Sequence, residues 1–189
     1  NFLSTGNQFT EINFQEHNTN LIIGTNGAGK STMLDALTFV LFNKPFRKIN
    51  KPQLVNTTNE RECLVEIEFE INTRQYVVRR GIKPNVFDIV VNGTELHREA
   101  DDRAMQRVLE DNILKVNYKS FTQIVILGSS TFVPFMQLTT ANRREVIEDL
   151  LDIRIFSLMN NILKDKIRTQ KDKVKSLDLK KETLKDKMK

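Results

Sequence analysis

Only one cysteine, two histidines and four prolines occur in these 189 residues, and no apolar run approaches the roughly 20 residues that a membrane-spanning helix needs. Each shortage excludes something. The lone thiol, Cys63, cannot close an internal disulfide, so a reducing cytoplasm is the expected compartment, and its neighbours Leu64 and Val65 place it on a strand as a packed group. His17 and His97 have no metal-ligating neighbours at useful spacing, which leaves them surface or strand-edge roles. The chain opens Asn1-Phe2-Leu3-Ser4 with neither a starting methionine nor a basic and apolar leader, so a few preceding residues are expected and a secretory signal is not. A hydrophobic content of 39% with 7% aromatics suits a soluble protein with no membrane partner and room for one core plus an appendage.

A basic excess is also missing from most of the chain. The net charge of +5 resides in the tail: Lys164 to Lys189 holds 11 Lys/Arg against 5 Asp/Glu, and the 163 residues before it hold 18 against 19. Overall charge therefore gives that region no argument for DNA binding, and only local patches could. Two patches stand out. Lys44, Arg47, Lys48 and Lys51 share a loop with Pro45 and Pro52, and Arg79, Arg80 and Lys83 form a second cluster; each suits DNA phosphates and equally suits a solvated surface.

What is present is most informative at Gly24-Thr25-Asn26-Gly27-Ala28-Gly29-Lys30-Ser31-Thr32. This run lies between an apolar strand candidate, Asn20 to Ile23, and a helical segment from Lys30 to about Phe42, which is the setting of a phosphate-binding loop. Glycines let successive backbone N–H groups face one anion while the next helix points its positive end at the same place. Lys30 would reach the β- and γ-phosphates and Ser31 would ligate Mg2+.

Along the chain, Phe9 to Phe14 and Asn20 to Ile23 read as two early strands. Met33, Leu34, Leu37, Val40 and Leu41 give the following helix one buried face. Val65, Ile67, Phe69 and Ile71 alternate with Glu66, Glu68 and Glu70, a half-buried strand, and Gln75 to Arg80, Val86 to Val91 and Thr94 to His97 continue it as an antiparallel meander with an Asn92-Gly93 hairpin turn. A helix is expected over about Ala100 to Val116, then an apolar strand Ile124 to Leu127 and a Gly128 to Thr131 turn. No glycine or proline follows Gln137, so one helix of about fifty residues is expected from an N-cap at Thr140, with Arg143 where a capping acid would sit. Setting Val146 at heptad position a puts Ile153, Ile167, Val174 and Met188 at a, and Phe156, Leu163, Leu177 and Leu184 at d; Asp149, Asn160, Gln170 and Lys181 interrupt the seam. Such a helix needs a partner helix.

Hydrolysis needs an acidic residue at the end of an apolar strand. Ile124 to Leu127 is followed by Gly128, and Glu148-Asp149 falls within the long helix, so the rest of an active site is expected elsewhere.

Residues 20 to 36, which run from Asn20-Leu21-Ile22-Ile23 through the loop to Met33-Leu34-Asp35-Ala36, resemble the opening of the SMC and SbcC group of DNA-repair ATPases. Phe121-Thr122 through Phe132, Phe135 and Met136, then Ala141-Asn142-Arg143-Arg144-Glu145 to Leu150-Leu151, resemble the passage of that family's head into its coiled coil, and the likeness points to its viral recombination-endonuclease branch. The resemblance implies an α/β fold: the N-terminal half-lobe of an ABC-type P-loop ATPase, with a mixed sheet plus an antiparallel β meander over residues 1–138, and the base of a long coiled-coil helix over 139–189. It implies ATP and Mg2+ as cofactors. Its implied partners are the chain's own C-terminal half, a second ATPase head closing around two ATP molecules, a metallophosphatase-type nuclease subunit and double-stranded DNA, in the cytoplasm at the nucleoid or in a host cytoplasm.

Carried onto this sequence, Asn26, Gly27, Ala28 and Gly29 supply backbone donors, Lys30 contacts the phosphates, Ser31 the Mg2+ and Thr32 the α-phosphate side. The acidic metal-binding strand and the signature loop would lie in the C-terminal half, and no catalytic residue is assigned here. Where relatives carry a metal-sensing glutamine, alignment gives Ser129, able to reach Mg2+ only through water, with Gln123 at the other end of that strand. Where relatives carry a basic residue against adenine, Leu3-Ser4 stands. Phe156, Leu158, Met159 and Ile162 crowd two sides of the long helix and are candidates for nuclease docking. A chromosome-tethering SMC or RecF-like clamp, and a nucleotide-gated coiled-coil scaffold without hydrolysis, remain alternatives.

Overall fold

The computed structural model describes residues 1–96, 101–126, 133–151 and 153–187. The chain divides into two compact units, Asn1–Pro134 and Phe135–Lys189.

In the first unit, β1 (Cys63–Ile71), β2 (Arg74–Ile82), β3 (Val86–Val91) and β4 (Thr94–Glu95) form one antiparallel sheet in sequence order. The alternation of β1 sets its register: Val65, Ile67 and Phe69 pair with Arg80, Val78 and Tyr76, and the acidic face pairs Glu66 with Arg79. The Asn92-Gly93 turn between β3 and β4 has positive φ at both residues, 49° and 80°, as the two-residue turn matching strand twist requires.

Helix α1 (Lys30–Phe42) packs on this sheet. Its Val40, Leu41 and Phe42 meet Val78, Phe87 and Ile89 of the sheet, with Met105 and Leu109 from the segment that follows. The preceding residue, Phe39, joins a second cluster with Phe2, Leu54, Val55 and Cys63. Each buried side chain of this size contributes roughly 1.5–3 kcal/mol, so α1 is anchored in two cores at once. Its buried stripe runs through Thr32, Asp35 and Phe39, while Met33, Leu34 and Leu37 are only half-buried. Beyond the sheet, α2 (Asp102–Arg107) continues into a π-helical segment, Val108–Leu114, within the helix expected there.

Two expectations fail in this unit. Residues 9–14 and 20–23 are not strands: Phe9 is 71% exposed and Leu21 83%, and no ladder reaches them. A strand needs a neighbour to take its backbone N–H and C=O groups, and among the described residues the sheet is wholly antiparallel and ends at β1 and β4. The mixed sheet is therefore not found. Likewise Ile124 closes a helix, α3 (Tyr118–Ile124), capped by Asn117, whose side chain accepts from the Ser120 N–H. That local Asx cap sets a helical start before the apolar run can extend. The end of that run and the Gly128 to Thr131 turn lie outside the described residues.

In the second unit the expected single helix is two. The side chain of Thr139, not Thr140, accepts from the Asn142 N–H and opens α4 (Thr140–Leu150), and α5 (Arg154–Lys187) follows. Between them the Ile153 N–H bonds the Glu148 carbonyl, while the Glu148 Oε1 accepts from Arg144 Nε at 2.6 Å and Ser157 Oγ at 2.7 Å. A carboxylate bonded on both sides of the interruption compensates the helical hydrogen bonds given up there.

Candidate nucleotide site

The site begins with conformations only glycine adopts cheaply. Gly27 and Gly29 have φ of 88° and 90°, and Gly29 is the N-cap residue from which α1 rises. The Ala28 N–H closes a turn on the Thr25 carbonyl at 3.2 Å, and the Thr32 N–H bonds the Gly29 carbonyl at 2.9 Å. Helix α1 has neither an acid in its first turn nor a side-chain cap, so no side chain of its own offsets the positive end of the helix. Lys30 folds back over the loop, its Nζ donating to the carbonyls of Gly24 at 2.7 Å and Thr25 at 2.8 Å. A side chain at Gly24 would strike Ala28 Cβ at 3.2 Å, so the ring closes tightly. Ser31 is exposed beside it and Thr32 is buried.

One turn past Ser31, Asp35 is fully buried and held by Arg47: its Oδ1 accepts the Arg47 backbone N–H at 2.8 Å and its Oδ2 the Arg47 Nε at 2.6 Å. A carboxylate is retained inside only when so matched. Burial pushes the Tyr118 hydroxyl up, with the Asp35 charge adding to it, and that hydroxyl donates to the Pro45 carbonyl at 3.0 Å. The basic loop is thus pinned to α1 and α3 at two points.

The family described as AAA domain matches residues 1–189. The chain belongs to the AAA domain family. It is 42% identical over 96% of its length to exonuclease subunit 2 of Escherichia phage RB69, and 44% identical over 87% to exonuclease subunit 2 of Enterobacteria phage T4, covering 32% and 29% of those proteins. It is also similar, at 28% identity over 94% of its length and 20% of the relative's, to the DNA double-strand break repair Rad50 ATPase of Thermoplasma acidophilum. A subunit of nuclease SbcCD from Staphylococcus aureus is 26% identical over 88% of the chain and 18% of that relative. The chain is thus similar to part of proteins of the SbcC and Rad50 kind. It spans about a third or less of the length of these relatives.

This AAA domain separates the cations that the sequence grouped. Strand alternation turns Arg79 to the wet face, where it pairs with Glu66, and Arg80 to the core face, where it is 4% exposed. Arg80 lies 3.6 Å from the centroid of the Phe87 ring and donates from Nε to the Val40 carbonyl at 3.0 Å and from Nη2 to Gln106 Oε1 at 2.6 Å. Gln106 Nε2 in turn donates to the Leu41 carbonyl at 2.9 Å and Glu110 Oε1 at 2.7 Å. These bonds cap the carbonyl end of α1, and burial lowers the guanidinium to about 10 against the opposing charges of Asp102 and Glu110. Buried in this way, the Arg80 guanidinium is out of reach of a DNA phosphate, contrary to the expectation for the Arg79, Arg80 and Lys83 cluster.

Lys44 lies over the Tyr118 ring and Lys51 over Phe39, with the Lys51 ammonium pushed down by burial and by Arg80 against a smaller opposing pull from Asp102. Lys48 and Lys83 are exposed. Phe156, Leu158, Met159 and Ile162 are each more than half exposed on α5. Gln123 lies on α3, its Oε1 buried with no hydrogen-bond partner among the described residues. Ser129 and His97 lie outside the described residues. The sequence pattern assigned no role to Asp35 or to Asn56. A carboxylate on the buried face of a helix followed by a cation-rich loop is a usable signal for Asp35; Asn56 carries none.

Proposed function

We propose that the loop Gly24–Thr32 binds the triphosphate of ATP, and that this AAA domain is the nucleotide-binding region of a DNA-repair ATPase that works with a nuclease. The observation that carries the reading is the loop itself: two left-handed glycines leading into an uncapped helix start, with the Lys30 ammonium held at the mouth by neutral carbonyls. A phosphate oxygen is a stronger acceptor for an ammonium than a peptide carbonyl, so Lys30 would turn from Gly24 and Thr25 to the β- and γ-phosphates. The amides of Asn26, Gly27, Ala28 and Gly29 would face the same anion, and Thr32 would lie toward the α-phosphate. Mg2+ would be held by nucleotide oxygens with the Ser31 hydroxyl as this chain's ligand. Bound Mg·ATP supplies the anhydride whose cleavage drives the cycle; these residues bind and orient it.

The names of the relatives support extending this to a partner of nuclease chemistry, docked on the exposed base of α5 at Phe156, Leu158, Met159 and Ile162. A second head would close over the nucleotide, and the exposed Lys48 and Lys83, with Lys44 and Arg79, are the residues proposed to meet DNA phosphates. The test is Lys30→Ala in the intact protein assembled with its nuclease partner. Turnover of ATP should fall on the order of 100-fold, the scale of losing one positioned cationic donor, with an unchanged circular dichroism spectrum. Normal hydrolysis by the variant would refute the reading.

A further inference from the structure

Residues 1–5 are irregular, yet they are tied to a segment more than fifty residues away. Phe2 is buried and bridges Val55, the Leu3 N–H bonds the Leu54 carbonyl at 2.7 Å, and the Thr5 hydroxyl closes the turn on the Phe2 carbonyl at 2.7 Å. Asn56 clasps that turn with its whole amide. Its Nδ2 donates to the Leu3 carbonyl at 2.9 Å and the Thr5 carbonyl at 3.1 Å, and its Oδ1 accepts the N–H groups of Thr58 at 2.9 Å and Asn59 at 3.2 Å. Two carbonyls on one side and two N–H groups on the other admit only this orientation, and among side chains of this length only asparagine has both ends. The clasped turn is adjacent to the loop. A Cβ placed on Gly29 would meet the Ser4 hydroxyl oxygen at 3.8 Å, so the turn forms a wall beside the start of α1.

We propose that Asn56 is a positioning residue for the nucleotide site: through the carbonyls of Leu3 and Thr5 it holds the Phe2–Thr5 turn against Gly29, so that Ser4 lines the bound nucleotide. The inference rests on the nucleotide reading of Gly24–Thr32 and adds to it a residue that touches neither loop nor ligand. Asn56→Asp isolates the donor half of the amide. The shape and the acceptor toward Thr58 and Asn59 are retained, while a carboxylate oxygen now opposes two carbonyls; protonation restores one donor.

The experiment uses the intact protein, with Mg·ATP binding followed by calorimetry at neutral pH and at about pH 5, and hydrogen exchange of the Leu3 and Thr5 amides measured alongside. Asn56→Asp should speed that exchange and weaken Mg·ATP binding on the order of tenfold at neutral pH, the equivalent of two lost neutral hydrogen bonds. Relative to wild type at the same pH, the defect should shrink at the lower pH. Ser4→Ala, an exposed change that leaves the fold intact, should weaken binding about threefold at both. Faster exchange with undiminished affinity would overturn the wall, and unchanged exchange would overturn the clasp. A wild-type protein that takes up no Mg·ATP would instead refute the nucleotide reading, and the exchange comparison would still decide whether Asn56 holds the turn.

Discussion

Arg79 and Arg80 are adjacent, identical and opposite in predicted consequence. Replacing Arg80 by Met keeps the stem but leaves the buried Val40 carbonyl and the half-buried Gln106 Oε1 without their donors, at about 1–3 kcal/mol each. It also removes the guanidinium from the Phe87 ring, worth roughly 1 kcal/mol. Against this, burial lowers the guanidinium from its ordinary value to about 10, an opposing penalty of about 3 kcal/mol that the substitution relieves. The balance is a loss of about 2 kcal/mol, which for a chain of this size lowers Tm by about 4–8 °C. Arg79 faces solvent in an ion pair with Glu66, and Arg79→Met should cost less than about 0.5 kcal/mol. Thermal melting of both variants checks the contrast. A cycle with Gln106→Leu should show coupling to Arg80 of about 1 kcal/mol or more. If Arg80→Met melts at or above Arg79→Met, the cap on the carbonyl end of α1 contributes nothing and the account of Arg80 is wrong.

Two further outcomes are expected. Thr139→Ala should destabilise α4 by about 0.5–1 kcal/mol, read as faster exchange of the Asn142 amide that its hydroxyl accepts; unchanged exchange would remove Thr139 as the cap. Burial pushes the Cys63 thiol up, so above about pH 8.5 the unfolded chain ionises while the folded chain keeps its proton, and stability should fall as pH rises through that window. Denaturant midpoints of wild type and Cys63→Ala compared over this range check the sign, and a thiol reagent should label Cys63 only on unfolding.

Elements whose hydrogen bonds close within a few residues were legible in advance. The period-two pattern of β1, the Asn92-Gly93 turn and the start of α1 at Lys30 follow from local backbone preference, and each stands where expected. The glycines, the lysine and the serine of the candidate site lie within eight consecutive residues, so the shape of the loop was legible as well. The stretches 9–14 and 20–23 have the composition of strands but lack a neighbour among the described residues, and composition does not supply one. The interruption after Leu150 has no local signal, since neither glycine nor proline marks it; it depends on Glu148 meeting both Arg144 and Ser157.

Sequence alone settled the strands of the meander, the rise of α1 from the loop, and where a chain of L-residues needs glycine to turn back on itself, because those constraints act over one to four residues. Only the tertiary structure decided that Arg80 caps α1 while Arg79 meets water, that Asp35 is buried on Arg47, and that Asn56 reaches a turn more than fifty residues distant. A polar group finds its partner by proximity in space, and desolvation then makes that partner obligatory; neither quantity is a function of neighbours along the chain.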